Sequence, residues 1–558
     1  MNPRPWRMRR PVPPGPAPWT GLERAWGLSA SGARLAWLRL DGAGDDLAWR
    51  LDPSWARSSD PYLLPGLDAA VARIRAALAA GEPIRVYGDY DVDGVTATAL
   101  LVRVLEKLGA RVDFFIPNRF NDGYGLHLDC IRDLTAERGP ALMVSVDCGV
   151  RSAAEVEASR ALGLDWIITD HHAPGPDLPP AAAVVHPGLG DYPNPGLAGV
   201  GVAFKLAQAL VDAVPVPRPG DGPFLDALLK LVALGTVADM VPLTGENALL
   251  VKRGLGALAG ANGPGLVELL RAARVEGPVR AQHIAFGIGP RINAVGRMGG
   301  AEDAVRLLLA RDPREARELM VRVEAMNQER REVQRDLGRR LPPTGEAPFD
   351  LVLEPGAHKG VIGIVAGQRM RLTGRPAAVG TVLDGVAHCS ARAPEGYDLR
   401  EAVDRLRPYL LAGGGHRSAC GLTFPVARLG FIRRTLERVA LDQAQARPAP
   451  GSDVLVDGDD PGLVPAVEEL ARLEPFGQGF PEPLLAVRGR LAGPPRPFGD
   501  GHRTFRLQGE PWEFTQFAGG EAPRPLDDPD QALCLAVSPM DSLRWGRSWR
   551  VDAFLDLP

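Results

Sequence analysis

The sequence predicts an α/β protein: a doubly wound, mainly parallel sheet, then a long connecting helix, a second smaller α/β domain and a C-terminal β-barrel. Three observations carry this expectation. Between residues 67 and 170, short apolar runs alternate with helical patterns at the spacing of βαβ units. Polar residues cluster just past those runs, where an open parallel sheet forms its crevice. Beyond a Pro-containing break near residue 450, the pattern changes to short alternating runs.

The elements follow in order. Residues 1–60 are rich in Pro, Trp and Arg, and Pro11 to Pro18 is expected to be extended or irregular. Leu67, Ala70, Val71, Ile74, Ala77 and Leu78 recur at helical spacing, so a helix is predicted from Leu67 to Ala80, closed by Gly81. Ile84 to Gly88 reads as the first strand, and Thr96 to Leu108 as a helix stopped by Gly109. Further strands are predicted at Val112–Ile116, Ala141–Val146 and Trp166–Thr169. Residues 314–341 form a long charged helix carrying Arg322, Arg330, Arg331, Arg335, Arg339 and Arg340, ended by Pro342-Pro343. Its charge reads equally well as a solvated face with i,i+4 pairing. A second α/β block covers roughly 349–440, a linker 444–452, and the barrel draws on runs such as Leu484–Val487 and Leu533–Val537. The domains expected are 1–60, 61–313, 314–341, 342–443 and 453–558.

Composition narrows the function classes. With 45% hydrophobic and 24% charged residues among 558, the chain is an ordinary globular one with room for several cores. No apolar run reaches the ~18 residues of a membrane span, and the Pro-rich sequence after the N-terminal arginines is unlike a secretory signal. Five scattered cysteines form no CxxC pair, so zinc ribbons and disulfide frameworks are not supported and a reducing cytoplasm is expected. The net charge of −4 argues against a general nucleic-acid coat while leaving room for a local basic channel.

The chemistry concentrates at Asp89, Asp91 and Asp93. On an extended chain, alternate residues share one face, so these carboxylates would project together behind the first strand. Like charges that close need a cation, and hard oxygen donors suit Mg²⁺ or Mn²⁺. The competing reading is an Asp-rich surface turn, which Gly94 fits. Asp147 and the run Asp170-His171-His172 also fall at strand ends, and Asp239 lies in a helix-rich stretch over residues 225–270. Together the set suits two divalent cations about 3.5–4 Å apart, which would activate a water and absorb charge on a phosphoryl transition state. Taken singly, each residue has a structural alternative: a lone His is often a satisfied hydrogen-bond partner, and Asp170 could cap a helix.

Asp89-Tyr90-Asp91-Val92-Asp93-Gly94, Asp147-Cys148-Gly149, Asp170-His171-His172 and Gly235…Asp239 resemble the motifs of the DHH phosphoesterases, and within them the RecJ single-stranded-DNA-specific exonucleases. Pro290–Arg297, His358–Val365, Gly414–Gly421 and Pro475–Pro483 are similar to later segments of that family, the last leading into an OB-like barrel. The resemblance implies that Asp89, Asp91, Asp93, Asp147, His171 and Asp239 hold two Mn²⁺ or Mg²⁺ ions, with Asp147 bridging. It implies catalytic roles for Asp147, His171 and His172, the last beside the scissile phosphate or orienting His171. Arg119, Ser390 and Arg392 would approach a 5′-phosphate, and His416 would lie where backbone and substrate meet. Arg291 and Arg297 could grip the DNA backbone or tie two lobes together. Three positions depart from the family pattern: Tyr87 for a His that Asp89 could replace, Ala357 for a Trp and Phe480 for an Asn.

The implied function is a metal-dependent hydrolase, a 5′ to 3′ single-stranded-DNA exonuclease releasing 5′-mononucleotides in recombination and repair. A helicase and a single-strand-binding protein are candidate partners, no membrane is involved, and a monomer is expected. The alternatives are a phosphodiesterase for short oligonucleotides or cyclic dinucleotides, and a metal-free DNA-binding scaffold.

Overall fold

A computed structural model describes residues 6–8, 19–39, 44–118, 125–214, 221–394, 396–445, 454–456, 469, 471–499, 501–510, 512–516, 532–542 and 546–555. The expectations for Pro11–Pro18, for Arg119 and for most of the linker lie outside these residues. The chain divides into two compact units. One comprises residues 9–327 together with 457–484; the other comprises 1–8, 328–456 and 485–558.

The first unit is built on a five-stranded sheet, all parallel: β1 (Ile84–Tyr87), β2 (Val112–Phe115), β3 (Leu142–Val146), β4 (Asp165–Thr169) and β5 (Ala183–Val185). The last of these was not among the strands expected from sequence, being only three residues long. The spatial order is β2-β1-β3-β4-β5, so the winding direction reverses between β1 and β3. A crevice opens at such a switch point, at the carboxyl ends of the strands.

Helices cover the sheet. α1 (Leu67–Ala80) matches its predicted bounds, with Leu67, Ala70, Val71, Ile74 and Ala77 buried as the spacing required. α2 (Val92–Lys107) begins earlier than expected, because Asp91 caps it. α3 (Gly199–Ala213) and α4 (Asp221–Ala238) are apolar on most sides and pack with α2 in the main core, with Val95, Leu101, Phe204, Leu206 and Leu234 among its fully buried members. A smaller core on the opposite face of the sheet contains Tyr87, Met143, Trp166 and Ile168. α5 (Gly289–Met298) follows a π-helical turn, His283–Ile288. α6 (Pro313–Arg340) is the long charged helix, and it belongs in part to each unit.

In the second unit, β6 (Asp350–Leu353), α7 (Lys359–Thr373), β7 (Ala377–Leu383), β8 (Val386–Arg392), β9 (Ala412–Gly415) and β10 (Ala419–Pro425) form a five-stranded mixed sheet in the order β9-β10-β8-β7-β6 with its crossover helix. Only β6 and β7 pair in parallel. The barrel region is a six-stranded sheet with strands from Leu485–Arg490 to Gly546–Phe554, bulged at Ala536/Val537. Among the described residues no helix is long and apolar enough to cross a membrane.

Candidate metal centre

The acidic run after β1 does not continue the strand. Gly88 starts the turn, and a Cβ there would lie 2.0 Å from Thr98 Oγ1, so only glycine lets the chain pass α2. Asp91 then caps α2, accepting hydrogen bonds from the amides of Asp93 (2.9 Å) and Gly94 (3.2 Å). Asp93 sits in the first helical turn. The expectation of alternate residues on one strand face is therefore corrected: a turn and a helix cap gather the carboxylates, because Asp caps a helix better than it extends a strand. Asp93 is fully buried and accepts from the amides of Gly199 (2.6 Å) and Val200 (2.9 Å) at the start of α3. That helix N-terminus favours a carboxylate through its oriented N–H groups.

Asp147 follows β3 with φ 61, a left-handed conformation that costs a non-glycine residue about 1–2 kcal/mol. Its amide donates to Thr169 O (3.0 Å). A Cβ at Gly199 would come within 2.6 Å of Asp147 Oδ1, so α3 can approach this closely only through glycine. Gly235 plays the same part in α4, where a Cβ would meet Asp93 Oδ1 at 2.7 Å. Asp239 lies just past the end of that helix.

His171 Nε2 stands 3.1 Å from Asp147 Oδ1, 3.7 Å from Asp239 Oδ2 and 3.8 Å from Asp93 Oδ2. The donor atoms fall into three groups, each within 4.8 Å: Asp89, Asp91 and Asp147; Asp93, His171 and Asp239; Asp147, His171 and His172. Asp147 and His171 each belong to two of them. The donors are carboxylate oxygens and imidazole nitrogens, a set for Mg²⁺ or Mn²⁺. Cys148 adds no soft ligand, since burial and the Asp170 charge push its thiol pKa well up.

Electrostatics argue for a cation here. Burial, then the Asp91 charge, raises Asp93 to about 7 despite its two amide bonds. Burial, then Asp93, Asp91 and Asp89, raises Asp239 to about 9. Asp147 is pushed well up by burial and the same neighbours. Such a cluster cannot ionise fully alone, and a divalent ion would reverse the balance. The residues present therefore fit two divalent cations.

Asp170 does not cap a helix, as none follows it. It is buried and accepts from the amides of Val150 (2.9 Å), His171 (2.7 Å) and His172 (3.1 Å), and pairs with His172 Nδ1 (2.8 Å). Burial works against its charge, yet His172 and these amides outweigh it and hold the Asp170 carboxyl at about 2. Burial likewise opposes a charged His172, but Asp170 prevails and raises its pKa. Asp170 is thus the residue that orients the His pair, a role the sequence did not assign. His186 was missed altogether. It is 3% exposed, accepts from Gly188 N at Nδ1 (2.9 Å), and so donates from Nε2 to His172 O (2.7 Å). It follows the short strand β5, which the sequence did not reveal, so no local signal marked it.

The departure at Tyr87 has a simple account. Its ring lies in the opposite core, 5.4 Å from Phe115 and 6.0 Å from Trp166, away from the cluster that Asp89 joins. Arg291 donates to Glu324 (2.7 Å), Gly287 O (2.8 Å) and Ala272 O (2.7 Å), and so ties the π-helical turn to α6. Arg297 closes α5, near a cleft of about 430 Å³ lined by Ile116, Asn118, Gly296 and Gly300. In the second unit, Arg392 donates to Ser390 Oγ (2.9 Å) on β8. A Cβ at Gly363 of α7 would lie within 2.9 Å of both side chains. His416 is exposed in the β9–β10 turn, beside the glycines of β9.

Three family models match the chain: the DHH family N-terminal domain over residues 83–236, the DHHA1 domain over 349–441 and the RecJ OB domain over 463–541. The single-stranded-DNA-specific exonuclease RecJ of Bacillus subtilis is 38% identical over 77% of this chain, which spans 55% of that relative's length. The protein of the same name from Thermus thermophilus is 38% identical over 88% of this chain and 71% of its own. The structure of Thermus thermophilus RecJ in complex with Mn²⁺ superposes with a TM-score of 0.83 at 33% identity, covering 99% of this chain and 80% of that one. Its Mg²⁺ complex gives 0.78 at 31% identity, with 99% and 79% covered.

Proposed function

The chain belongs to the RecJ exonuclease family, and we propose that it removes nucleotides one at a time from the 5′ end of single-stranded DNA by two-metal phosphodiester hydrolysis. The observation that carries the reading is the buried cluster Asp89, Asp91, Asp93, Asp147, His171 and Asp239 at the switch point of the sheet. Asp89, Asp91 and Asp147 would hold one divalent cation, and Asp93, His171 and Asp239 the other, with Asp147 near both. When bound, such ions lower the pKa of water and neutralise charge on the phosphoryl group. His172, whose pKa the Asp170 carboxylate raises against burial, would donate to a phosphate oxygen as negative charge builds there. Asp147, held in its left-handed turn, would be placed to take part in holding the cations from either ligand group it joins.

Arg119, Ser390 and Arg392 would bind the 5′-terminal phosphate, Arg through paired N–H donors and Ser through its hydroxyl. Arg297 and His416 would contact the strand beyond it. The RecJ OB domain supports a sequence-independent grip on single strands and weighs against a substrate of only two or three nucleotides. A helicase and a single-strand-binding protein are the partners such an activity calls for. A monomer is expected, and a reducing cytoplasm fits five cysteines of which none is in a disulfide.

Single-stranded oligonucleotides carrying a 5′ or a 3′ label, incubated with Mn²⁺, test this directly. Immediate appearance of a labelled mononucleotide from the 5′ label alone is expected. Preferred trimming from the 3′ end would overturn the polarity, and activity undiminished in Asp147→Ala would overturn the metal centre.

A further inference from the structure

The first unit contains a segment that returns to it late in the chain, and that segment meets the loop leaving Asp239. Glu469 and residues 471–482 run back over the helices Ala30–Arg39 and Gly44–Leu51. Glu469 accepts from Ser29 N (2.8 Å) and Ser29 Oγ (2.6 Å), and Arg472 donates to Gly27 O (3.1 Å) and Trp26 O (3.0 Å). At the centre is Arg50, which has no exposed surface. Its Nη1 donates to Leu473 O (3.0 Å) and Pro475 O (2.9 Å), and its Nη2 donates to Leu243 O. The guanidinium lies 3.6 Å from the centre of the Phe480 ring, which stacks on Phe476. Leu243 N donates back to Gln478 O (2.8 Å).

The loop from Met240 to Leu243 needs this support. Met240 has φ 63, a conformation that persists in a non-glycine residue only when its surroundings over-determine it. Besides Arg50 and Gln478, Asn247 Nδ2 holds the loop at Pro242 O (3.0 Å) and links it to Gly196 O (2.6 Å). A charged group with no exposed surface is costly to bury, and removing its partners is costlier still.

We propose that Arg50 is a positioning residue for the metal centre: it joins the returning segment 469–482 to the loop after Asp239, and so fixes the Asp239 carboxylate at its ligand position. Phe480 completes the device by covering the guanidinium face. The substitution of Phe for the Asn expected there is then a local adaptation to the buried arginine. The proposal rests on the metal-centre reading above.

The test uses the full chain with Arg50→Met and Arg50→Lys. Hydrogen exchange is followed over residues 240–243 in the metal-free protein, Mn²⁺ affinity by calorimetry, and nuclease rate against Mn²⁺ concentration. Arg50→Met is expected to speed exchange in the loop and weaken Mn²⁺ binding about 10–100-fold. Its kcat should recover toward wild type at high Mn²⁺. Arg50→Lys keeps the charge but cannot bridge all three carbonyls, so it should fall between. If Arg50→Met does not fold, Arg50→Lys is read by the same measurements. A folded variant that melts earlier with unchanged Mn²⁺ affinity and unchanged loop exchange overturns the proposal. Failure of the wild type to bind Mn²⁺ would overturn the metal-centre reading and with it the proposal's link to metal.

Discussion

Asp239→Asn is expected to raise the melting temperature of the metal-free protein while removing its nuclease activity. The Asp239 carboxyl, raised from an ordinary 3.8 to about 9 by burial and by Asp93, Asp91 and Asp89, holds a proton in the folded chain that the unfolded chain has released. Its favourable contribution is complete below 3.8 and is lost as pH climbs toward about 9. At pH 7.5 the loss is at most about 5 kcal/mol, at ~1.36 kcal/mol per pH unit. Neighbouring acids share the protons, so removing one recovers part of this; we expect about 2 kcal/mol, or a rise of roughly 3 °C for a unit of this size. Calorimetry in EDTA from pH 5 to 8.5 should show the variant's advantage growing with pH. Added Mn²⁺ should stabilise the wild type strongly and Asp239→Asn weakly. A variant melting with or below the wild type at pH 8.5 in EDTA would refute the reasoning, because repulsion in the cluster would then not be the cost assigned to it.

Mn²⁺ binding at pH 6.5 should release protons from Asp93, Asp147 and Asp239, so its apparent enthalpy should vary with the ionisation enthalpy of the buffer; no dependence would contradict their raised pKa values. Gly199→Ala places a Cβ 2.6 Å from Asp147 Oδ1 and should cost about 10–100-fold in Mn²⁺ affinity, measured by titration, with little change in helix content. Asp170→Asn removes the charge facing His172 Nδ1 and should lower kcat about 10–100-fold, with the acid-form pKa in the pH–rate profile moving down.

Much of the fold was legible because periodicity reports burial. α1 was bounded correctly by its apolar spacing and Gly81, and β1 to β4 were found as apolar runs ending in polar clusters. The short strand β5 was not, since three residues carry no period. The candidate ligands were legible as residue types at element ends, but the reason given for Asp89, Asp91 and Asp93 was wrong in geometry: capping, which acts over three residues, overrode strand alternation. Asp170 and His186 act through hydrogen bonds only 2 to 20 residues along the chain, set by how the loops after β4 and β5 turn, and apolar periodicity does not report those turns. Arg50 has partners 193 to 425 residues away, which no local pattern encodes.

The return of residues 469–482 to the first unit also bears on the order in which the protein matures on the ribosome. Residues 9–327 emerge first and carry every candidate metal ligand, yet the carbonyls that Arg50 needs at Leu473 and Pro475 are synthesised only after the whole α/β portion of the second unit. Until then a buried guanidinium lacks two of its acceptors, and the loop after Asp239 lacks Gln478. Vectorial synthesis thus leaves the loop after Asp239 without these partners until residues 473–478 have been made.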